Sequence, residues 1–150
     1  MHLKRATQYA VRVLIYLNLR GATYPGWVTR REIAERLNIP GVFLARVCRQ
    51  LVRSGLVEVQ RGPGGGFRLA SGVESVSVGS ILEVLEGPHW AAACILGFRE
   101  CTDDLWCPLH PLWQSIRESL TATLQGWTLT DLTREALRRG LSMEADKPRG

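Results

Sequence analysis

The chain has 150 residues, of which 45% are hydrophobic and 22% charged, with four cysteines and a formal net charge of +5. This length predicts one ordinary domain, or a small domain with an appendage, and the hydrophobic share is enough for a core. No apolar run reaches the roughly 18 residues that a membrane span needs, and the polar N-terminus lacks the apolar core of a signal peptide. We therefore expect a cytoplasmic protein without a membrane partner, in which clustered cysteines bind metal rather than form disulfides.

The positive charge is concentrated in the first half of the chain. Residues 1–70 contain 12 Lys and Arg but 3 Asp and Glu, a net charge of +9, whereas residues 71–150 contain 7 and 11, a net charge of −4. This division predicts a polyanionic partner, such as nucleic acid, for the first half only. The alternative is a solvated basic surface.

Three helices are predicted in the first third of the chain. Apolar residues at helical spacing indicate a first helix over residues 8–19, which is apolar over much of its surface and therefore buried. Thr29 and Glu32 form a capping-box sequence that begins a short second helix. After a turn at Pro40, a third helix covers residues 42–54 and ends at Gly55.

The third helix has two different faces. Its apolar stripe consists of Leu44, Val47, Cys48 and Leu51, and its opposite, basic face consists of Arg46, Arg49, Gln50 and Arg53. A helix, a tight turn and a second helix with a basic outer face are typical of helix-turn-helix proteins, in which the second helix enters the major groove of DNA. The alternative is that these arginines form a solvated surface.

Two short predicted strands, residues 56–60 and 67–70, flank a glycine-rich segment. This hairpin is typical of the wing of a winged helix, in which Arg61 would enter the minor groove while Gly64 and Gly65 let the backbone approach the duplex. A phosphate-binding loop of a nucleotide enzyme is disfavoured, because no Lys-Ser/Thr pair follows and the next element is a strand.

The candidate contacts to double-stranded operator DNA come from three elements. The N-terminus of the second helix is expected to bind phosphate, the third helix to face bases or phosphates, and the wing to reach the minor groove. The complete set is Thr29, Arg30, Arg31, Val42, Phe43, Arg46, Arg49, Gln50, Arg61, Gly64 and Gly65.

A fourth helix over residues 78–86, capped by Ser77, leads into a cysteine-rich loop over residues 88–108. Thiolates together with an imidazole suit zinc or the iron of an iron–sulfur cluster. The alternatives are a zinc site, three unrelated buried thiols, and His89 as the fourth ligand; Cys48 is predicted to be core. The candidate ligands are Cys94, Cys101, Cys107 and, three residues after the last cysteine, His110.

A long amphipathic helix is predicted over residues 109–127, followed by a short helix over residues 129–139. Because paired operator half-sites call for a two-fold dimer, we expect the long helix to form a homodimer interface. The alternative is packing on the core of its own domain. The interface stripe consists of Leu109, Trp113, Ile116, Leu120 and Leu124.

These elements predict a mainly α fold with a small β-hairpin wing, that is, a winged helix-turn-helix plus a long dimerisation helix. The expected division is a DNA-binding domain over residues 1–87, a cluster-binding loop over residues 88–108, dimerisation helices over residues 109–140 and a flexible tail over residues 141–150.

The chain resembles the IscR/NsrR/RirA family of bacterial winged-helix regulators over nearly its whole length. The resemblance lies in the second-helix segment over residues 32–37, in the wing over residues 61–70, in the three-cysteine loop and in residues 128–132. It implies a homodimer with one iron–sulfur cluster per subunit, bound by Cys94, Cys101 and Cys107.

Members of this family differ in the fourth ligand. In IscR-like proteins it is a histidine just after the third cysteine, which His110 matches; in NsrR-like proteins it is an aspartate of the partner's first helix, where this chain has Gln8. The resemblance therefore favours a 2Fe–2S cluster over 4Fe–4S. Two departures are six residues between the first two cysteines, where IscR-like loops usually have five, and Ala45, where an acidic residue is frequent.

The expected function is a transcriptional regulator whose cluster controls its affinity for operator DNA, acting on iron–sulfur assembly or related stress genes. The alternatives are a nitric oxide or iron sensor of the same family with a 4Fe–4S cluster and, from another class, an electron-transfer protein. An enzyme with a small-molecule substrate is not expected, because the sequence has no nucleophile–base pair and no flavin or nicotinamide fingerprint.

Overall fold

The computed structural model describes residues 3–98, 101 and 107–140, so the predicted tail lies outside the described residues. Within these ranges the chain is mainly helical with one small antiparallel hairpin, as predicted. The elements are α1 (Arg5–Thr23), α2 (Arg30–Leu37), α3 (Gly41–Arg53), β1 (Val57–Gln60), β2 (Gly66–Leu69), a 3-10 turn (Val73–Ser75), α4 (Val78–Glu86), α5 (His110–Gly126) and α6 (Leu129–Arg138). No helix of this described part is long and apolar enough to cross a membrane.

Helix α1 lies at the centre of the molecule and contacts α2, α3, α4, α6 and β2. It begins three residues earlier and ends four residues later than predicted, because the apolar period marks only its buried middle. Each fully buried aliphatic side chain contributes roughly 1.5–3 kcal/mol through burial. The core side chains that are almost completely inaccessible include Leu14, Leu17, Ile33, Leu44, Leu51 and Leu129.

Helix α6 packs against α1 rather than standing apart with α5. Leu129 is completely buried in the same core as α1, and the Asn18 side-chain amide donates a 3.0 Å hydrogen bond to the hydroxyl of Thr133. The N-terminus of α6 has a complete capping box between Thr128 and Asp131. The last helix therefore packs as part of the winged-helix unit, which consists of α1 to α4, the two strands and α6 and is called the head below.

The capping box predicted at Thr29 and Glu32 is only half present. The Thr29 hydroxyl accepts a 3.1 Å hydrogen bond from the Glu32 backbone N–H, as expected for an N-cap. The Glu32 carboxylate instead accepts hydrogen bonds from the side chains of Tyr16 and Arg20 on α1. The glutamate thus joins two helices because a phenol and a guanidinium lie closer to it than the N-cap backbone.

The wing is joined to the rest of the head by a bridge that the sequence did not indicate. Val28 and Phe67 exchange two backbone hydrogen bonds of 2.8 Å each, so the segment before α2 forms a third, single-residue strand beside β2. Gly66 has a φ of +154°, and a Cβ at this position would overlap the backbone carbonyl of Val28. The close approach of the two backbone segments therefore requires glycine at position 66.

The end of α5 returns to the start of α4. The Val78 N–H donates a 2.7 Å hydrogen bond to the Trp127 carbonyl, and the Leu129 N–H donates one of 3.0 Å to the Val76 carbonyl. The Ser77 hydroxyl, which caps α4 as predicted, also donates to Gln125. The start of α4 and the end of α5 thus lie side by side.

Candidate metal and nucleic-acid sites

Helix α3 presents the two faces that the sequence predicts. Its apolar stripe is buried in the core, and burial raises the pKa of the Cys48 thiol to about 11, consistent with a structural thiol. The other face carries exposed Arg46, Arg49 and Arg53, and within the described residues none of the three forms an ion pair. Their charges are therefore available to an external anion.

The first turn of α3 is supported by aromatic packing. Val42 is almost fully exposed, and the half-exposed ring of Phe43 contacts the ring of Tyr9 edge to face, with centroids 6.4 Å apart. The Arg12 guanidinium lies 5.8 Å from the centre of the Tyr9 ring and donates to the Leu37 carbonyl. This packing fixes where the N-terminal turn of α3 projects from the head.

The sequence predicted Gln50 on the basic outer face of α3, but in the structure its side chain contacts α4. The residue is half-buried, and its side-chain Nε2 donates a 3.2 Å hydrogen bond to the backbone carbonyl of Leu85 in the last turn of α4. The reason is that the last turn of α4 lies within hydrogen-bond distance of this flank of α3, which a helical projection of α3 alone does not show.

The N-terminus of α2 lies exposed next to α3. Thr29, Arg30 and Arg31 are all accessible, and the Arg31 guanidinium pairs with Glu35 one turn later at 2.9 Å. An exposed pair of this kind contributes little to stability, because water screens both charges. Arg31 can therefore exchange its carboxylate partner for a phosphate at little cost.

The tip of the wing is shaped by glycines. The Gly65 N–H donates a 3.0 Å hydrogen bond to the Gly62 carbonyl, and Gly64 has a φ of +73° that favours glycine. A Cβ at Gly65 would overlap the Gln60 carbonyl. Arg61 is exposed beside this turn and takes part in none of the ion pairs between described residues.

The second arginine of the wing is engaged within the protein. The Arg68 guanidinium lies 4.3 Å from the centre of the Trp27 ring and forms a 2.6 Å ion pair with Glu58 across the hairpin. The stacking holds the wing to the segment before α2, and the ion pair joins the two strands of the wing. The sequence offered no signal for this contact beyond the residue types.

The predicted metal ligands come together as two pairs. Cys101 Sγ lies 3.1 Å from His110 Nδ1, although nine positions separate them. Cys94 is buried and interacts with the Cys107 side chain. Among the residues that the structure describes, no three His, Cys, Asp or Glu side chains form a single group that could hold a metal ion.

The environment of Cys94 favours a thiolate. Burial alone would raise the pKa of its thiol, but hydrogen bonds from backbone N–H groups and from the Cys107 side chain outweigh burial and lower the pKa. The backbone donors belong to Leu96, Gly97 and Phe98, in the turn that follows the cysteine. A thiolate is the form that binds metals, so this turn prepares Cys94 as a ligand.

His110 joins the cysteine loop to α5. It is the buried first residue of the helix, and its backbone N–H donates a 3.0 Å hydrogen bond to the Cys107 carbonyl. One turn later, the indole N–H of Trp113 donates to the Ala93 carbonyl, next to Cys94. His89, the alternative ligand from the sequence, is exposed at the start of the loop.

Helix α5 is the least buried helix of the described part of the chain, with His110 as its single buried residue. It contacts α4 along one side. Of the predicted stripe, Leu109 and Ile116 are exposed, while Trp113, Leu120 and Leu124 are partly buried. Leu112 is not part of the predicted stripe, although it also fits a helical spacing, and its side chain is 67% exposed.

Comparison with known proteins places the chain among regulators. The family model described as "Rrf2: Iron-dependent Transcriptional regulator" matches residues 3–135. The HTH-type transcriptional regulator IscR of Klebsiella pneumoniae (strain 342) is 33% identical over 132 residues, which cover 88% of this chain and 79% of the relative. IscR of Vibrio campbellii is 29% identical over 135 residues, which cover 90% and 79%.

Solved structures show the same fold. CymR, the global cysteine regulator of B. subtilis, superposes with a TM-score of 0.73 at 27% identity, over 90% of this chain and 98% of that one. T. potens IscR superposes with a TM-score of 0.70 at 23% identity, over 100% and 94%. These relatives are transcriptional regulators and not enzymes, and the resemblance inferred from the sequence is confirmed. The chain belongs to the Rrf2 family of iron-dependent transcriptional regulators.

Proposed function

We propose that this regulator binds operator DNA as a homodimer in the bacterial cytoplasm, and that an iron–sulfur cluster controls its affinity. The observation that carries the proposal is the 3.1 Å approach of Cys101 Sγ to His110 Nδ1. It brings an imidazole to the cysteine loop. In the same protein, α3 exposes arginines that form no ion pair with any described residue. The target genes that the resemblance suggests are those of iron–sulfur assembly or related stress responses.

DNA binding follows from the exposed surface of the head. Helix α3 would enter the major groove, with Arg46 and Arg49 facing bases or phosphates and Val42 and Phe43 in apolar contact with base edges. The other contacts would be phosphate at Thr29, Arg30 and Arg31, and the minor groove at Arg61, Gly64 and Gly65. Gln50 would contribute less to base contacts than the sequence suggested, because its amide is bound to Leu85.

The donor set suits an iron–sulfur cluster. Cys94, Cys101 and Cys107 would supply three thiolates and His110 an imidazole, and the lowered pKa of Cys94 fits a metal-bound thiolate. When bound, the cluster supplies a charged group that responds to oxidation, nitrosylation and iron supply. We favour 2Fe–2S over 4Fe–4S because His110 stands where IscR-like proteins, which the chain resembles, have a histidine as the fourth ligand. Zinc accepts the same ligands and is the competing occupant.

Dimerisation would use α5. The helix leaves Leu109, Leu112 and Ile116 exposed, and Trp113, Leu120 and Leu124 only partly covered. A two-fold pairing of two such helices would bury this face and place two α3 helices on neighbouring half-sites. Within residues 109–140, α5 would then form the dimer interface and α6 would stabilise the head, since α6 packs on α1 and not beside α5.

The first experiment is the visible absorption and circular dichroism spectrum of protein purified without oxygen, with iron and sulfide counted. A structured 2Fe–2S spectrum supports the proposal. A broad 4Fe–4S band would favour a nitric oxide or iron sensor and weaken the assignment of His110. A colourless protein with stoichiometric zinc would end the cluster proposal and leave DNA binding intact.

DNA binding is tested on duplexes selected from a random-sequence library, with the cluster-loaded and the cluster-free protein. We expect one form to bind the selected sequence more tightly than the other, with a strong dependence on salt. Equal, weak and sequence-independent binding by both forms, together with rapid electron exchange, would favour the electron-transfer alternative.

A further inference from the structure

The C-terminal turn of α4 is the point where the cysteine loop meets the head. Gly87 ends the helix with a φ of +105°, and the loop over residues 88–108 follows directly. Two hydrogen bonds hold this turn to the rest of the protein. Gln50 of α3 donates to the Leu85 carbonyl at 3.2 Å, and the Glu86 carboxylate accepts from the backbone N–H of Lys4 at 2.8 Å.

The Gln50 hydrogen bond serves α4 as a C-terminal cap. The last four carbonyls of an α-helix have no partner within the helix, and Leu85 lies among them. The Leu85 side chain is buried in the core, and Gln50 itself is half-buried. The helix proposed to read DNA thus supplies a donor that the helix leading to the cysteine loop lacks.

Gln50 also lies at the edge of the basic face of α3, next to its arginines. Arg46 lies four residues before it and Arg53 three residues after it, so both are its neighbours on the helix surface. A displacement of the last turn of α4 must therefore either break the Gln50–Leu85 hydrogen bond or move this flank of α3 together with its arginines.

We propose that Gln50 is a positioning residue that transmits the state of the cysteine loop to α3. This inference rests on the proposed function, because it presumes that the cluster alters operator affinity. The loop with its cluster and the loop without it would hold the last turn of α4 differently, and the Gln50–Leu85 hydrogen bond would be made in one state and not in the other. The affinity difference between the two states would then depend on Gln50.

The test compares operator affinity with and without cluster for the wild-type protein, Gln50→Met and Arg49→Ala. Methionine keeps the length of the side chain but removes the donor. We expect the ratio of operator affinities between the two states to be at least threefold smaller in Gln50→Met than in the wild-type protein. Arg49→Ala is the control, because a residue that acts by direct contact with DNA lowers both affinities alike and preserves the ratio. Gln50→Glu, which sets an acceptor against the Leu85 carbonyl, is the second variant and should narrow the ratio as well.

A second readout is independent of DNA. Amide hydrogen exchange in the last turn of α4 and at Gly87 is measured with and without cluster. Gln50→Met should make this exchange several-fold faster in one of the two forms and leave it unchanged in the other; an equal effect in both forms, or no effect in either, would overturn the inference. An unchanged affinity ratio in both Gln50 variants, beside a clear ratio in wild type, would overturn this inference alone. A wild-type protein with equal affinities would overturn the proposed function and this inference with it.

Discussion

The Tyr16 hydroxyl donates a 2.6 Å hydrogen bond to Glu32 Oε1 and thereby joins the middle of α1 to the first turn of α2. Burial, followed by this hydrogen bond and the nearby carboxylate charge, raises the pKa of Tyr16 to about 12. The same hydrogen bond, with help from Arg20, lowers the pKa of Glu32. A helix next to the proposed DNA surface is thus held by a phenol–carboxylate pair.

We expect Tyr16→Phe to lower the free energy of unfolding by about 2 kcal/mol, because Glu32 loses a partly buried donor. The pKa of Glu32 is depressed in the folded state, so its contribution is present above its ordinary value of 4.5 and is lost as the pH falls through the folded value. The contribution of Tyr16 is present below its ordinary value of 10.0 and is lost as the pH rises toward about 12. Urea unfolding at several pH values measures both effects.

The matched control is Tyr24→Phe, since Tyr24 is exposed at the end of α1. This control should leave the stability and its pH dependence close to wild type. If Tyr16→Phe showed the wild-type slope of stability against pH at both extremes, the pair would not contribute as described.

Replacing Gly66 by alanine should destabilise the head by roughly 3 kcal/mol, because the new Cβ would overlap the Val28 carbonyl and force apart the bridge between Val28 and Phe67. Gly41→Ala is the control, since a Cβ there meets no atom within 4 Å. Thermal unfolding measures both variants. Equal melting temperatures would show that the wing tolerates the loss of this bridge.

Arg61→Ala should weaken operator binding about tenfold and reduce the slope of log affinity against log salt by about 1, because one guanidinium leaves the DNA backbone or minor groove. Arg134→Ala on α6 is the control for the loss of one exposed positive charge. Fluorescence anisotropy at several salt concentrations gives both quantities. An Arg61 variant with wild-type affinity would remove the wing from the proposed interface.

His110→Ala should change the visible spectrum of the cluster-loaded protein or shorten the lifetime of the cluster in air, because Cys101 loses the imidazole that lies 3.1 Å from its sulfur. His89→Ala, which removes the exposed histidine of the same loop, should leave the spectrum and the lifetime unchanged. The reverse pattern would assign the fourth ligand to His89.

Ile116→Glu should raise the dissociation constant of the dimer roughly a hundredfold, because each of two copies would lose about 1.5 kcal/mol of apolar burial at a two-fold interface. Ile116 is 57% exposed on α5, and Leu137 is 60% exposed on α6. Leu137→Glu is therefore a control of matched exposure. Sedimentation equilibrium measures both, and an equal loss of dimer from the two variants would remove α5 as the interface.

Local sequence rules predicted most of the helical framework. The buried stripe of α3 follows from the helical period, and Gly55, at a φ of +74°, follows α3 as expected of a C-terminal glycine. The same rules did not predict the capping box at Thr128 and Asp131, because the usual pattern has glutamate or glutamine at the third helical position and this chain has aspartate there. Periodicity shows which residues are buried, but it does not identify their neighbours.

Contacts between distant segments lay beyond the sequence for this reason. The partner of Phe67 is Val28, the partner of Gln50 is Leu85, and neither pairing leaves a trace in the local pattern. The candidate ligands could be chosen because cysteine clusters are rare and chemically specific. Which cysteine meets His110 depends on the path of the loop, which residue spacing does not determine.

The two hydrogen bonds that join Val76 and Val78 to the start of α6 have a consequence for how such regulators diversify. They hold the end of α5 beside the start of α4, while Ile81 and Leu85 of α4 belong to the core. Insertions or deletions between Gly87 and α5 therefore need not shift the other helices or the wing. Loop closure costs rise only slowly with length. Selection can therefore exchange the segment between Gly87 and α5 on an unchanged winged-helix framework, and an engineer could graft a foreign segment there.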